Sequence, residues 1–298
     1  MKSYIITEDL EFLMKRWSDE SGFKIPNHQF FVSLQKNLQG YLGSIFSDLV
    51  LIGLDDLSSQ MKKKISLFTD YLVVSIDQVY NNSDFHLESN RIADIDTMEI
   101  IGEAQRPGYP SLSEQISGLP NGQPVILIDD GCFSGDTLFR IFSLMKEKGL
   151  DVQKIIVGII IDRADNRFVQ EYPGIDLETV YEFSNVIDWV CERDFFIGVP
   201  LSGRTAGTKE GDIIIPCNPG ISLPYCLPFG DPIKGASIPT NRTVEFSRFI
   251  INLSRKMWEE VERSSGRTVS CSDISRLPKG IDRSDEFVKT LVKARDSL

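Results

Sequence analysis

A chain of 298 residues, 41% hydrophobic and 25% charged, has the make-up of a globular protein with one large core and additions. Its net charge of -11 argues against bulk nucleic-acid binding, which depends on many Lys and Arg contacts to phosphates. With 2 histidines and 5 scattered cysteines, it is short of parts for histidine acid–base chemistry, a zinc site or a disulfide framework.

In chain order, residues 7–19 are predicted as a helix, with Thr7 as N-cap and Leu10, Leu13 and Trp17 at helical spacing. The opening "MKSYIITEDLEFLMKRW" lacks the features of a signal peptide, and no apolar run reaches the roughly 20 residues of a membrane span. No membrane association and a cytoplasmic location are expected. A second helical segment follows Pro26 over 28–46. "DLVLIGL" (48–54) and "DYLVVSIDQVY" (70–80) read as strands, with a helix between them.

Residues 81–122 carry the turn-forming clusters "NNSD", "RPGYPS" and "LPNG" and are expected to be mostly irregular, with a mobile loop among them. Then come a strand over 124–128, a helix over 135–148 closed by Gly149, and the strand "KIIVGIIID" over 154–162. Both strands are apolar without alternation, as strands buried on both faces should be, so this is a parallel α/β unit. Past residue 163 the chain reads as loops and short strands. An amphipathic helix over 241–264 offers Val244, Phe246, Phe249, Ile250, Leu253 and Trp258 to one face, and a last helix covers 284–297.

The stretch "VILIDDGCFSGDTL" (125–138) sets a buried strand directly before two carboxylates and a helix start. Such a loop presents unpaired backbone N–H groups and the positive end of a helix dipole, and Gly135 allows close approach of a ligand. With the hydroxyls of Ser134 and Thr137, it is suited to hold a phosphate. Asp129 and Asp130 beside it are explained by a sugar phosphate, whose vicinal hydroxyls donate to the acids. Taken alone, the acid pair also fits a solvated turn.

This stretch resembles the phosphoribosyl pyrophosphate signature of the type I phosphoribosyltransferases: four apolar residues, two acids, a short variable stretch, then Ser-Gly-x-Thr. The resemblance implies a parallel α/β sheet with a hood region, to which this chain adds N- and C-terminal helices. It divides the chain into 1–45, 46–239 and 240–298. It also implies phosphoribosyl pyrophosphate bound with Mg²⁺ and transfer of the phosphoribosyl group to a nitrogenous acceptor, as in nucleotide metabolism.

On that resemblance Asp129 and Asp130 bind the ribose and the metal, and Cys132, Phe133, Ser134, Gly135, Asp136 and Thr137 form the phosphate cradle. "RDFFIGVPLSG" (193–203) resembles the hood strand of purine-type members, so Phe195 or Phe196 would stack on the acceptor. Asp162 and Arg163, leaving the strand at 154–162, are further acceptor contacts, or a solvent-facing turn. The pyrophosphate loop would fall at "GLDDLSS" (53–59), which has two acids and no base. Arg91 and Arg106 are the alternative pyrophosphate partners, and the segment near 103–115 would close as a lid.

Two readings stand side by side. One is an active transferase. The other is a catalytically weak or inactive nucleotide or sugar-phosphate sensor that works with a protein partner through its C-terminal helices, in the manner of stress-response or defence proteins. The resemblance also admits a homo-oligomer.

Overall fold

The computed structural model describes residues 2–80, 83–161, 170–172 and 174–298. The chain forms two compact units from interleaved segments: Met1–Lys2, Ile52–Arg91 and Glu103–Val186 in the first, and Ser3–Leu51, Ile92–Gly102 and Ile187–Leu298 in the second. The consecutive division 1–45, 46–239 and 240–298 does not coincide with these units.

From the N-terminus the elements are strand β1 (Ser3–Thr7), helices α1 (Leu10–Ser21) and α2 (His28–Gly43), strand β2 (Leu49–Ile52), helix α3 (Leu54–Ile65) and strand β3 (Leu72–Ser75). Next come β4 (Phe85–His86), β5 (Ser89–Asp94), β6 (Ile100–Gln105), helix α4 (Leu112–Ser117), β7 (Val125–Cys132), α5 (Asp136–Glu147), β8 (Val152–Ile161) and β9 (Asp176–Phe183). The C-terminal part holds β10 (Val186–Cys191), β11 (Arg204–Glu210), β12 (Ile213–Pro216), β13 (Ile221–Leu223), α6 (Pro232–Ala236), α7 (Thr243–Ser265), β14 (Leu277–Pro278) and α8 (Phe287–Asp296).

The first unit contains a five-stranded parallel sheet in the order β4-β3-β7-β8-β9. Its central strands are branched and buried: Val125, Ile126, Leu127, Ile128, Ile155 and Ile156 are fully inaccessible. Strands buried on both faces need helices on both faces. On α5, Leu138, Ile141, Phe142 and Met145 recur at helical spacing and join one core cluster with Val125 and Leu127. Ile65, at the end of α3, packs with Ile126, Ile128 and Ile156. Gly158 on β8 makes this packing fit, because a Cβ there would lie 2.5 Å from the Asp130 carbonyl oxygen and 3.0 Å from the Leu57 side chain.

Several expectations are corrected. Thr7 ends β1 instead of capping a helix, and α1 starts after Asp9. "SYIIT" is a short, continuously buried strand, and its residues pair within the sheet β10-β1-β2. Residues 81–122 are not mostly irregular: β4, β5, β6 and α4 lie within them. Polar strands such as "SNRIAD" carry weak periodicity and gain their definition from partners far along the chain. Thr205, Ala206 and Gly207 on β11 lie opposite Ile92, Ala93 and Asp94 in parallel register. The segment drawn as a lid is likewise ordered, since Glu103–Gln105 belong to β6 and α4 carries a complete Ser111/Glu114 capping box.

In the second unit, α7 buries Phe246, Ile250, Ile251, Met257, Trp258 and Val261. The Trp258 indole packs edge-on against Trp17 and Phe287 and donates to the Ile197 carbonyl at 2.7 Å. Gly198 (φ 85°) sits against these rings, where a Cβ would come within 2.6 Å of Phe287. Among the described residues, the five cysteines form no disulfide bond. Among the described residues, no helix is long and apolar enough to cross a membrane.

A buried acidic pair in this unit makes stability depend on pH. Burial pushes Glu192 from 4.5 up to about 8, helped by Asp9 and Glu8. Asp9 rises to about 6 through burial, despite its ion pair with Arg193. The folded Glu192 keeps a proton that the unfolded chain has lost, so this group's contribution to stability falls as pH rises from about 4.5 to about 8. Glu192→Gln is expected to match wild type near the lower limit and to exceed it by a few kcal/mol above the upper one, read by urea unfolding across that range.

Candidate functional site

β7 runs through both carboxylates to Cys132, four residues beyond the predicted end of the strand at 128. Asp129 lies opposite Val157 and Gly131 opposite Ile159 in the β7–β8 ladder. Ladder bonds from the neighbouring strand offset the poor strand preference of the acids. The two acids are consecutive at the end of β7, and the Asp130 N–H donates to the Asp129 carboxylate at 3.0 Å. Asp129 is 9% exposed and Asp130 more open. Burial first, then the charges of Asp130 and Asp77, hold the Asp129 carboxyl well above its ordinary range, while Arg91 pulls it down.

After Cys132 the chain turns through Gly135, whose φ of 85° makes it the left-handed N-cap of α5. The turn aims the first amides of α5 outward, as an anion site requires. The Ser134 hydroxyl donates to the Asp136 carboxylate at 2.8 Å, which turns that acid back along the loop. The Asp136 carboxylate is thus engaged within the loop, and its own N–H donates to the Ser134 hydroxyl at 3.5 Å. Cys132 is buried, and Phe133 is partly exposed at the mouth of the turn.

Thr137 is held by two residues from β5 and β6. Its hydroxyl donates to Glu103 at 2.9 Å and accepts from the Arg91 Nε–H at 3.2 Å. The other Glu103 oxygen accepts from Ser89. Glu103 is 5% exposed, and burial raises its carboxyl, countered by Ser89, Arg91, Thr137 and Arg106. Arg91 thus reaches the phosphate loop itself. Arg106 pairs with Glu88 at 3.2 Å.

β2 pairs in the β10-β1-β2 sheet, so β3 is the strand of the parallel sheet that follows α3. "GLDDLSS" instead begins α3: Gly53 is its N-cap, and Asp55 and Asp56 stand in the first turn, where carboxylates favour the helix dipole. Asp56 is further engaged by Gln60 and Tyr181. The segment after β3 is "IDQVY" (76–80). There one Asp77 oxygen accepts from the Val79 N–H at 3.0 Å and the Tyr80 N–H at 2.5 Å. Sequence reading missed Asp77 and Glu103; both are single acids in short, largely apolar stretches that read as strand, and only the fold brings them near Asp129 and Thr137.

The remaining candidates fare differently. Phe195 and Phe196 are 1% and 0% exposed inside the second unit, with Phe195 against Phe246, so they are core side chains and not a stacking platform. An aromatic pair in an apolar run gives no sign of which side faces a ligand. Asp162 and Arg163 lie outside the described residues.

The residues fit a magnesium ion of the kind that completes its shell from a ligand's phosphates, which needs only one or two protein carboxylates. Asp129 and Asp130 supply these, with Asp77 close enough to influence Asp129. Among the described residues, no group of three or more His, Cys, Asp or Glu is placed to hold a metal by itself.

No protein-family model matches the chain. Over 83 residues it is 30% identical to the hypoxanthine/guanine phosphoribosyltransferase of Methanococcus maripaludis strain S2, covering 28% of this chain and 44% of that protein. With the enzyme of the same description from Methanothermobacter thermautotrophicus, identity is 28% over 97 residues, covering 32% and 49%. The chain thus spans less than half the length of these curated relatives. Among solved structures, the purine phosphoribosyltransferase from Pyrococcus horikoshii aligns with a TM-score of 0.32 at 12% identity, over 53% of this chain and 93% of that one. The adenine phosphoribosyltransferase from Thermoanaerobacter pseudethanolicus gives 0.30 at 14%, over 43% and 79%.

The Glu103 carboxylate beside the cradle predicts a pH effect on anion binding. Its pKa is raised, so it gains charge above the ordinary glutamate range and then repels an anion at Thr137. Sulfate, which does not titrate near neutrality, is the probe. Glu103→Gln is expected to bind sulfate more tightly than wild type at the alkaline end of a pH series, with the difference narrowing as pH falls, by calorimetry.

Proposed function

We propose that this chain, which is type I phosphoribosyltransferase-like, binds phosphoribosyl pyrophosphate with Mg²⁺ and transfers its phosphoribosyl group to a nitrogenous acceptor. One observation carries the reading: Asp129 and Asp130 stand at the carboxyl end of a central parallel strand, immediately before a Gly135-capped helix whose Thr137 is held by Arg91. Open parallel sheets bind ligands at this place. The 5′-phosphate takes the amides of residues 133–137 with Arg91 beside them, and the carboxylates accept from the ribose hydroxyls.

In the reaction the bond from ribosyl C1 to the pyrophosphate oxygen breaks, the electron pair leaves with pyrophosphate, and a C1–N bond forms on the opposite face. Positive charge develops on the ribosyl ring in between, and the carboxylates of Asp129 and Asp130 stabilise it electrostatically. Mg²⁺, held by these acids and by phosphate oxygens, would neutralise the departing diphosphate. The side chains position and screen; no histidine is needed.

One observation favours the second reading, a sugar-phosphate or nucleotide sensor. Asp77 caps the Val79 and Tyr80 amides in the segment after β3, where a diphosphate would need free donors and cations. Opening that loop costs two hydrogen bonds to a carboxylate before pyrophosphate gains anything.

Calorimetric titration of phosphoribosyl pyrophosphate with Mg²⁺, compared with ribose 5-phosphate, separates the two. The transferase reading expects the diphosphate compound to bind at least about tenfold more tightly, with the advantage lost in Asp129→Asn/Asp130→Asn. Equal affinity supports the sensor. Binding of neither compound by the folded protein overturns both.

A further inference from the structure

The second unit holds a cavity of about 270 Å³ that the phosphoribosyl reading does not use. Arg204, the first residue of β11, and Tyr225 line it, with the apolar side chains of Ala93, Met98, Ile100 and Leu223 around them. The Arg204 guanidinium lies 5.4 Å from the centre of the Tyr225 ring. Tyr225 is 4% exposed and Arg204 half-buried, and the Asp188 and Asp194 carboxylates act on the guanidinium electrostatically. A guanidinium and a phenol hydroxyl on one cavity wall are donors suited to an acceptor from outside the chain.

The surrounding charges narrow the acceptor. Lys234 at the rim is paired with Glu99 at 2.5 Å and donates to the Thr97 carbonyl. Asp231 is spent on the Ile233 and Lys234 amides at the start of α6. Asp188 and Asp194 lie within electrostatic range of Arg204 but are engaged by the Trp189 and Gly203 amides. They hold the guanidinium charged, and they penalise any ligand charge beyond the one that the arginine offsets. A planar carboxylate matches the fork in shape and carries one charge. The volume sits at the small end for ligand pockets, enough for a single ring with its head group. The apolar walls and the Tyr225 face suit such a ring.

We propose that this cavity binds a small monocarboxylate carried on one apolar or aromatic ring, its carboxylate on Arg204 and Tyr225 and its ring against Met98, Ile100 and Leu223. The backbone is shaped for it: at Gly235 a Cβ would strike the Tyr225 ring, and at Gly203 one would strike the Leu223 carbonyl. Both glycines let the walls close on the arginine. The site does not depend on phosphoribosyl chemistry, and its failure would leave that reading untouched.

The test is ¹⁹F NMR titration of the full chain with 4-fluorobenzoate and its neutral counterpart 4-fluorobenzamide. Wild type is expected to bind the benzoate saturably and the amide at least about tenfold more weakly. Arg204→Met is expected to lose that preference. Ile100→Trp, placed at the half-exposed lip (50%), is expected to block both probes without touching the guanidinium. Absence of saturable benzoate binding, equal binding of the amide, or unchanged binding in either folded variant overturns the proposal. If Arg204→Met does not fold, Ile100→Trp and the benzoate–benzamide comparison decide it alone.

Discussion

The parallel ladder on both sides of β7 is the constraint from which the first unit follows. Pairing with β3 and β8 satisfies the backbone of Val125–Cys132 and drives two consecutive acids to the end of an otherwise apolar strand. Isolated from those neighbours, "IDDGC" has no reason to stay extended. Held by them, it delivers Asp129 and Asp130 to the carboxyl end of the sheet and starts the Gly135 turn at a fixed point. The helices that cover the faces are set by the same ladder, since α5 and α3 each bury the residues that β7 and β8 present.

Electrostatics gives the site its character. Asp77, Asp129, Asp130 and Glu103 gather in the first unit around few cations, with Arg91 the one placed on the phosphate loop. An acidic site of this kind suits a ligand that brings hydroxyl donors and a divalent cation with it, and disfavours a bare anion. Buried carboxyls with raised pKa values recur in the second unit, at Asp9 and Glu192. There the hydrogen bonds run to backbone amides and to Arg193, and the acids tie α1 to the turn after β10.

The parts of this protein legible in its sequence are those where local chemistry and fold agree. Continuous branched runs could only be buried strands, and residues 136–147 and 243–265 carry helical periodicity strong enough to fix their helices. The Ser-Gly-x-Thr turn was visible because a left-handed glycine before a helix has few alternative uses. Phe195 and Phe196 misled because a buried aromatic and a ligand platform have the same composition. "GLDDLSS" misled because acids after a glycine serve a helix N-terminus as well as a loop.

Sequence alone determined the parallel α/β unit, the acid pair and the glycine turn into α5, since each rests on contacts within a few residues or on burial that composition imposes. Tertiary structure decided which strand precedes which loop, that Glu103 and Arg91 meet at Thr137, and that Arg204 faces a cavity. Those outcomes depend on contacts between residues tens of positions apart, and side-chain identity does not encode which distant partner a polar group will find.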